Sequence, residues 1–351
     1  YQCRSIPGQS PQSDESTPQQ KGPLAVSADR ESDATEADES LSTMLMRSLN
    51  VPLKTAGGTQ LWTDHVWREG YRIQQNALTG HCRLVDPTDV RRVSGTRSLC
   101  EATLEQLLSE KKAIKSSKDA SGKHVVVLLH GLMRTHHCMK PLSESLREAG
   151  YDEVVRFSYA STRGSIGDHS AALREVLDGF PPDTRFSFVG HSMGNIVVRH
   201  LIGDLQRDRD PTHLLPRCQA MVMLGPPNQG AAIARRLAPT RVFGFVTGQG
   251  GLELGPKWDE FAAKLGTPPF PFAIVAGDVS AARLSNPLVD GTGDFIVSLE
   301  EAQLDGAVDF HSVPTLHSFL MSDEAAMRLA VGFLQSHAPP GENAPVLRSR
   351  G

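Results

Sequence analysis

The sequence predicts an α/β domain: a mostly parallel sheet with helices on both faces. Three observations carry that prediction. From about residue 119 to 337, short apolar runs alternate with amphipathic stretches, the pattern of repeated strand–helix units. Val125-Val126-Val127-Leu128-Leu129 is apolar throughout, as a strand buried on both faces must be. The run Phe186-Ser187-Phe188-Val189 ends in Gly190-His191-Ser192-Met193-Gly194, and a stripe of Val197, Leu201 and Leu205 follows with helical spacing. Strand, sharp turn and helix around Gly-x-Ser-x-Gly is the context of a nucleophile elbow. A Cβ at either flanking glycine would obstruct the close approach of strand and helix.

The remaining elements follow in order. Residues 1–58 are rich in Ser, Gln, Pro and acidic residues, and read as a disordered tail or tether with a short amphipathic piece at 41–49. Residues 59–118 read as a small antiparallel meander of about three strands (61–67, 71–74 and 82–85) and a connecting helix over 101–112. The meander holds two of the three tryptophans, so it is either a packed appendage or a surface for a partner or carbohydrate. The main domain then predicts helices at 139–149, 170–177 and 323–334, and further strands at 154–159, 220–224, 271–275 and 308–313. Between 226 and 270, apolar residues mixed with glycines fit either a movable cap over the serine or a static loop. Residues 338–351 read as a second disordered tail.

Composition narrows the function. A chain of 351 residues has ample material for a core, and a net charge of −4 with mixed signs makes no electrostatic case for nucleic acid. No apolar run is long enough to span a bilayer. The chain starts at Tyr1 rather than Met, so localisation stays open, with export or membrane tethering as the expectation. Oligomeric state is equally open. Five cysteines form no C-x-x-C pair; Cys82 and Cys100 could pair within the small segment around the meander, and the sequence alone leaves that open. His136-His137-Cys138 is not expected to hold a metal, because adjacent side chains diverge; no cofactor is expected either.

With Leu128-Leu129-His130-Gly131-Leu132 and Gly190-His191-Ser192-Met193-Gly194 in this order, residues 120–337 resemble the α/β-hydrolase family, closest to its lipase and esterase branch. The resemblance implies a cofactor-independent serine hydrolase acting on carboxylic, lipid-like esters. A serine hydroxyl needs a base, and the base needs a carboxylate. Two late histidines qualify as the base. His311 lies within a strand pattern, whereas His317 stands in a loop before the last helix, where such folds gather their catalytic groups. His317 also matches the family's closing histidine.

The acid is open among Asp278, Asp290 and Asp294 on residues alone. The resemblance favours Asp294 through an Asp-Gly-x-Val pattern, with Phe295 standing where the family has glycine. It also implies oxyanion donors at the backbone N–H groups of Leu132 and Met193, with His130 holding its loop by a hydrogen bond. A thioesterase or acyltransferase would use the same residues, and a non-catalytic binding protein would keep the fold without turnover. A lipid-like substrate makes peripheral membrane association a further expectation.

Overall fold

The computed structural model describes residues 53–54, 59–114, 123–151, 153–237, 241–282, 286, 288–289 and 291–340. The tails expected at 1–58 and 338–351 lie outside these residues except at 53–54 and 338–340. Leu53–Lys54 pairs as a short strand, and Ala338 and Pro339 are tied down: the Tyr151 hydroxyl donates to Ala338 O (2.9 Å) and His124 Nδ1 donates to Pro339 O (3.1 Å).

Two sheets organise the described residues. The first is antiparallel: β1 (Leu53–Lys54), β2 (Trp62–Arg68), β3 (Tyr71–Asn76), β4 (Cys82–Val85) and β5 (Val90–Gly95), in the order β1-β5-β4-β3-β2. The expected meander is therefore present but has five strands rather than three. β5 escapes pattern reading because Arg91, Arg92 and Ser94 dilute its apolar alternation, and a bulge at Leu84/Val85 breaks the register. Helix α1 (Arg97–Ile114) closes the unit by burying Cys100, Leu104 and Leu108 against Ile73, Cys82 and Leu84. Cys82 and Cys100 are free thiols in that cluster, not a disulfide. Neither tryptophan is a bare surface platform. The Arg83 guanidinium covers Trp62 at 3.9 Å, and Trp67 packs against the main core while donating to Glu153 Oε1 (3.1 Å).

The second sheet is wholly parallel: β6 (His124–Leu129), β7 (Glu153–Phe157), β8 (Arg185–His191), β9 (Cys218–Leu224), β10 (Phe272–Gly277) and β11 (Asp309–Val313), in the order β11-β10-β9-β8-β6-β7. Its two faces follow the period of two. Val125, Val127 and Leu129 pack on one side with α3 (Ile166–Asp178) and α4 (Met193–Arg207). Val126 and Leu128 pack on the other with α2 (Lys140–Glu148) and α9 (Glu324–His337). Ser165 and Asp168 cap α3 reciprocally, which sets where that helix starts.

Between β9 and β10 the glycine-rich stretch forms α5 (Ala232–Leu237), α6 (Arg241–Glu253, kinked at Gly248) and α7 (Trp258–Ala262). Leu254, Trp258 and Phe261 are buried with Met193, Ile196 and Val197, so the C-terminal half of this insertion is part of the core. A short helix α8 (Leu299–Ala302) follows β10, opened by the reciprocal cap of Ser298 and Glu301 that its sequence signature predicts.

Candidate active site

The elbow is built as its glycines require. β8 ends at His191, α4 begins at Met193, and Ser192 between them has φ +52° and ψ −123°. That backbone is costly for a non-glycine residue, on the order of 1–3 kcal/mol, and persists only where its surroundings impose it. Here Ser192 N–H donates to Leu224 O (2.9 Å), and Asn195 Nδ2 donates to Ser192 O (3.1 Å). A Cβ on Gly190 would lie 2.3 Å from Asn195 Oδ1, and one on Gly194 2.6 Å from Leu129 O. The turn thus brings Ser192, half-buried, to the C-terminal edge of the sheet.

His317 arrives from a single 3-10 turn, His317–Phe319, just after β11. Its Nε2 lies 2.9 Å from Ser192 Oγ, and its Nδ1 lies 2.6 Å from Asp294 Oδ2. Asp294 is 1% exposed; its other oxygen accepts the N–H groups of Ile296 (3.0 Å) and Val297 (2.8 Å). Two backbone donors and the imidazole Nδ1 thus give both oxygens of this buried carboxylate partners.

Phe295 takes φ +83°, so the loop follows the left-handed path that glycine favours even though glycine is absent. Asn286 Nδ2 braces that turn by donating to Phe295 O (2.7 Å).

Asp278 and His311 stand apart from this line. Asp278 caps the N–H of Ser280 (3.0 Å), ordinary loop chemistry, and Asp290 lies outside the described residues. His311 is exposed on the edge strand β11. Leu132 follows β6, and Met193 opens α4, where the first helical N–H groups have no intrahelical acceptor. Among the described residues no hydrogen bond takes the Leu132 N–H. His130 is fully buried: its Nδ1 donates to Gly131 O (2.9 Å), and burial holds its pKa down to about 4.

Three residues at the site carry no signal that sequence reasoning used. His191, the variable position before the serine, donates from Nε2 to His317 O (2.9 Å), with the rings 4.8 Å apart. Burial first, and then the neighbouring His317, pushes its pKa well below the usual histidine range, so it stays a neutral donor. Tyr159 and Ser161, in the loop after β7, contact His130 and Met133.

His136 and His137 do not diverge as expected; on a 3-10 turn their rings sit 4.1 Å apart, and Asp89 joins them with ligand-type atoms within 4.8 Å of one another. The space is already cationic. The Arg72 guanidinium bonds to Asp89 and approaches His136 Nε2 at 3.4 Å, which opposes a metal ion there.

Residues 119–226 match the family model described as "Putative serine esterase (DUF676)". That span takes in β6, the elbow and α4 through to the end of β9. The chain is also similar to the mature Bacillus licheniformis lipase BlEst2 (17% identity, 62% of this chain and 94% of that one, TM-score 0.48). A metagenomic carboxyl esterase shows 15% identity over 62% and 72% of the two chains, TM-score 0.40. Polyneuridine aldehyde esterase shows 13% identity over 61% and 99%, TM-score 0.37. No curated protein matches the sequence. The wholly parallel sheet and the serine elbow give this domain an α/β-hydrolase fold, and its first part, residues 119–226, is the part that matches the serine esterase family model. Its chemistry is that of a serine hydrolase of ester substrates.

Proposed function

We propose that the protein is a carboxylic-ester hydrolase that works through an acyl-enzyme, with Ser192 as nucleophile. The observation that carries this is the continuous Ser192–His317–Asp294 line, with contacts of 2.9 and 2.6 Å. Asp294 holds the proton on His317 Nδ1, which leaves Nε2 unprotonated and aimed at the serine hydroxyl. As Ser192 Oγ attacks the ester carbon, His317 takes its proton and then passes it to the leaving alcohol. The N–H groups of Leu132 and Met193 receive the tetrahedral oxygen, and water then repeats the cycle on the acyl-enzyme.

A lipid-like acyl group is the substrate class we favour. Met133 and Phe319 are 48% and 57% exposed, and they lie one and two residues from Leu132 and His317. Exposed large apolar side chains so close to polar chemistry suit an acyl chain or a lipid surface better than a charged substrate. The insertion between β9 and β10 packs closely behind the residue after the nucleophile, since a Cβ on Gly250 would meet the buried Met193 Sδ at 3.1 Å.

The test is hydrolysis of p-nitrophenyl esters of rising acyl length by the wild type and Ser192→Ala. Turnover that rises beyond acetate and vanishes in the folded variant supports the reading. Turnover that survives in Ser192→Ala rejects it.

A further inference from the structure

Leu132 is held from both sides by ties that lead into the antiparallel meander. On its C-terminal side, Met133 N–H donates to Ser161 Oγ (3.1 Å), and Met133 O accepts from Gln60 Nε2 (3.0 Å). Met133 has φ +58°, a left-handed conformation that an unbranched side chain adopts only at a cost. Those two bonds keep the turn from relaxing. On the N-terminal side, the Tyr159 hydroxyl donates to His130 O, and its ring stacks on the His130 imidazole at 4.1 Å. The loop over residues 158–161 therefore grips the chain before and after Leu132.

That loop is itself pinned by β2. Asp64 N–H donates to Ser158 O (2.8 Å), Asp64 Oδ2 accepts from Ser158 N–H (2.7 Å), and Thr63 Oγ1 accepts from Ala160 N–H (3.1 Å). Asp64 is fully buried, and its remaining oxygen accepts from Gln74 Nε2 (2.7 Å) on β3. A buried carboxylate costs stability unless its bonds are good, and these join the meander to the loop rather than to the reacting groups. An acid so placed does no proton chemistry at Ser192; it fixes backbone.

We propose that Gln60, Thr63 and Asp64 are positioning residues for the oxyanion hole, so that the meander holds the Leu132 N–H in place and is not a passive appendage. This rests on reading Leu132 as an oxyanion donor. The consequence is specific. Loosening the ties shifts a donor that matters in the transition state and leaves the ground-state pocket alone, so kcat falls while KM does not move. Deleting an oxyanion donor outright costs about 10²–10³ in kcat, and a donor that is displaced but present costs on the order of tenfold.

The experiment uses the full chain with p-nitrophenyl butyrate as substrate and phenylboronic acid as a tetrahedral-adduct inhibitor. Gln60→Glu removes the tie to Met133 O at an exposed position, and Thr63→Val removes the tie to Ala160 N–H without changing shape, while the Asp64 pair with Ser158 stays in both. Both are expected to lower kcat about tenfold, hold KM within about twofold, and raise the boronate Ki in step with the loss of kcat/KM. Thr63→Ser, which keeps the hydroxyl, restores wild-type values. Leu78→Ser, on an exposed turn of the same meander, changes nothing. Wild-type kcat and boronate Ki in both Gln60→Glu and Thr63→Val overturn the proposal, and should Thr63→Val fail to fold, Gln60→Glu alone decides. A wild-type protein that neither hydrolyses the ester nor binds the boronate fails the esterase reading itself, which is a distinguishable result.

Discussion

Asp294 is bound to His317 twice: its carboxylate takes the ring Nδ1–H at 2.6 Å, and its backbone carbonyl takes the His317 N–H at 3.0 Å. The second bond does not depend on the side chain. Replacing the carboxylate therefore leaves the histidine where it is and changes only its proton arrangement. Asp294→Asn is expected to keep KM near wild type and lower kcat by about 10⁴-fold, the scale of the equivalent change in a serine protease. Asp278→Asn, which disturbs only the cap on Ser280, should cost under about tenfold. Steady-state kinetics on the two variants checks both, and a large loss in Asp278→Asn with a small one in Asp294→Asn would reverse the assignment.

Phe295 offers a second test, because it holds a left-handed conformation at φ +83° next to the acid. Phe295→Gly removes the steric penalty and is expected to retain activity within about threefold. Phe295→Val places a β-branched residue where such residues are genuine outliers, and should lower kcat by at least tenfold through displaced Asp294. Equal activity in the two variants would mean that the turn does not set the carboxylate's position.

Much of the fold was legible because it rests on local pattern. Val125–Leu129 reads as a two-faced strand, and Gly190 and Gly194 flag the elbow by the space that a Cβ would need. Ser192 and His317 were legible for the same reason, being tied to an elbow and to the loop after the last strand. Asp294 was narrower, since three aspartates compete in sequence and only the path of the loop decides which reaches the imidazole. Gln60, Thr63, Asp64 and Ser161 could not be read at all. Their role depends on bonds spanning 28 to 97 positions along the chain, and no short-range period encodes those. The divergence expected for His136 and His137 failed because a 3-10 turn brings neighbouring rings together.

Buried histidines predict how stability responds to acid. Burial holds His130 and His169 down to about 4, against an ordinary 6.5, and also pushes His191 well below the ordinary histidine range. With the folded pKa depressed, the unfolded chain binds more protons between about 6.5 and 4, so the stabilisation is complete above 6.5 and is lost as pH falls. Each such group costs about 1.4 kcal/mol per pH unit inside that window. Calorimetry should show Tm flat near pH 7–8 and falling by several degrees between about pH 6.5 and 5. A Tm unchanged over that range would show that these side chains are not buried as neutral groups.

The central claim is that Ser192 is the activated nucleophile, and a fluorophosphonate probe with intact-mass and peptide mapping tests it most directly. The account predicts one adduct per chain, located on Ser192, absent in Ser192→Ala and formed at least about 100-fold more slowly in His317→Ala. No adduct on the folded wild-type protein, or an adduct on any other residue with Ser192 unmodified, would contradict it.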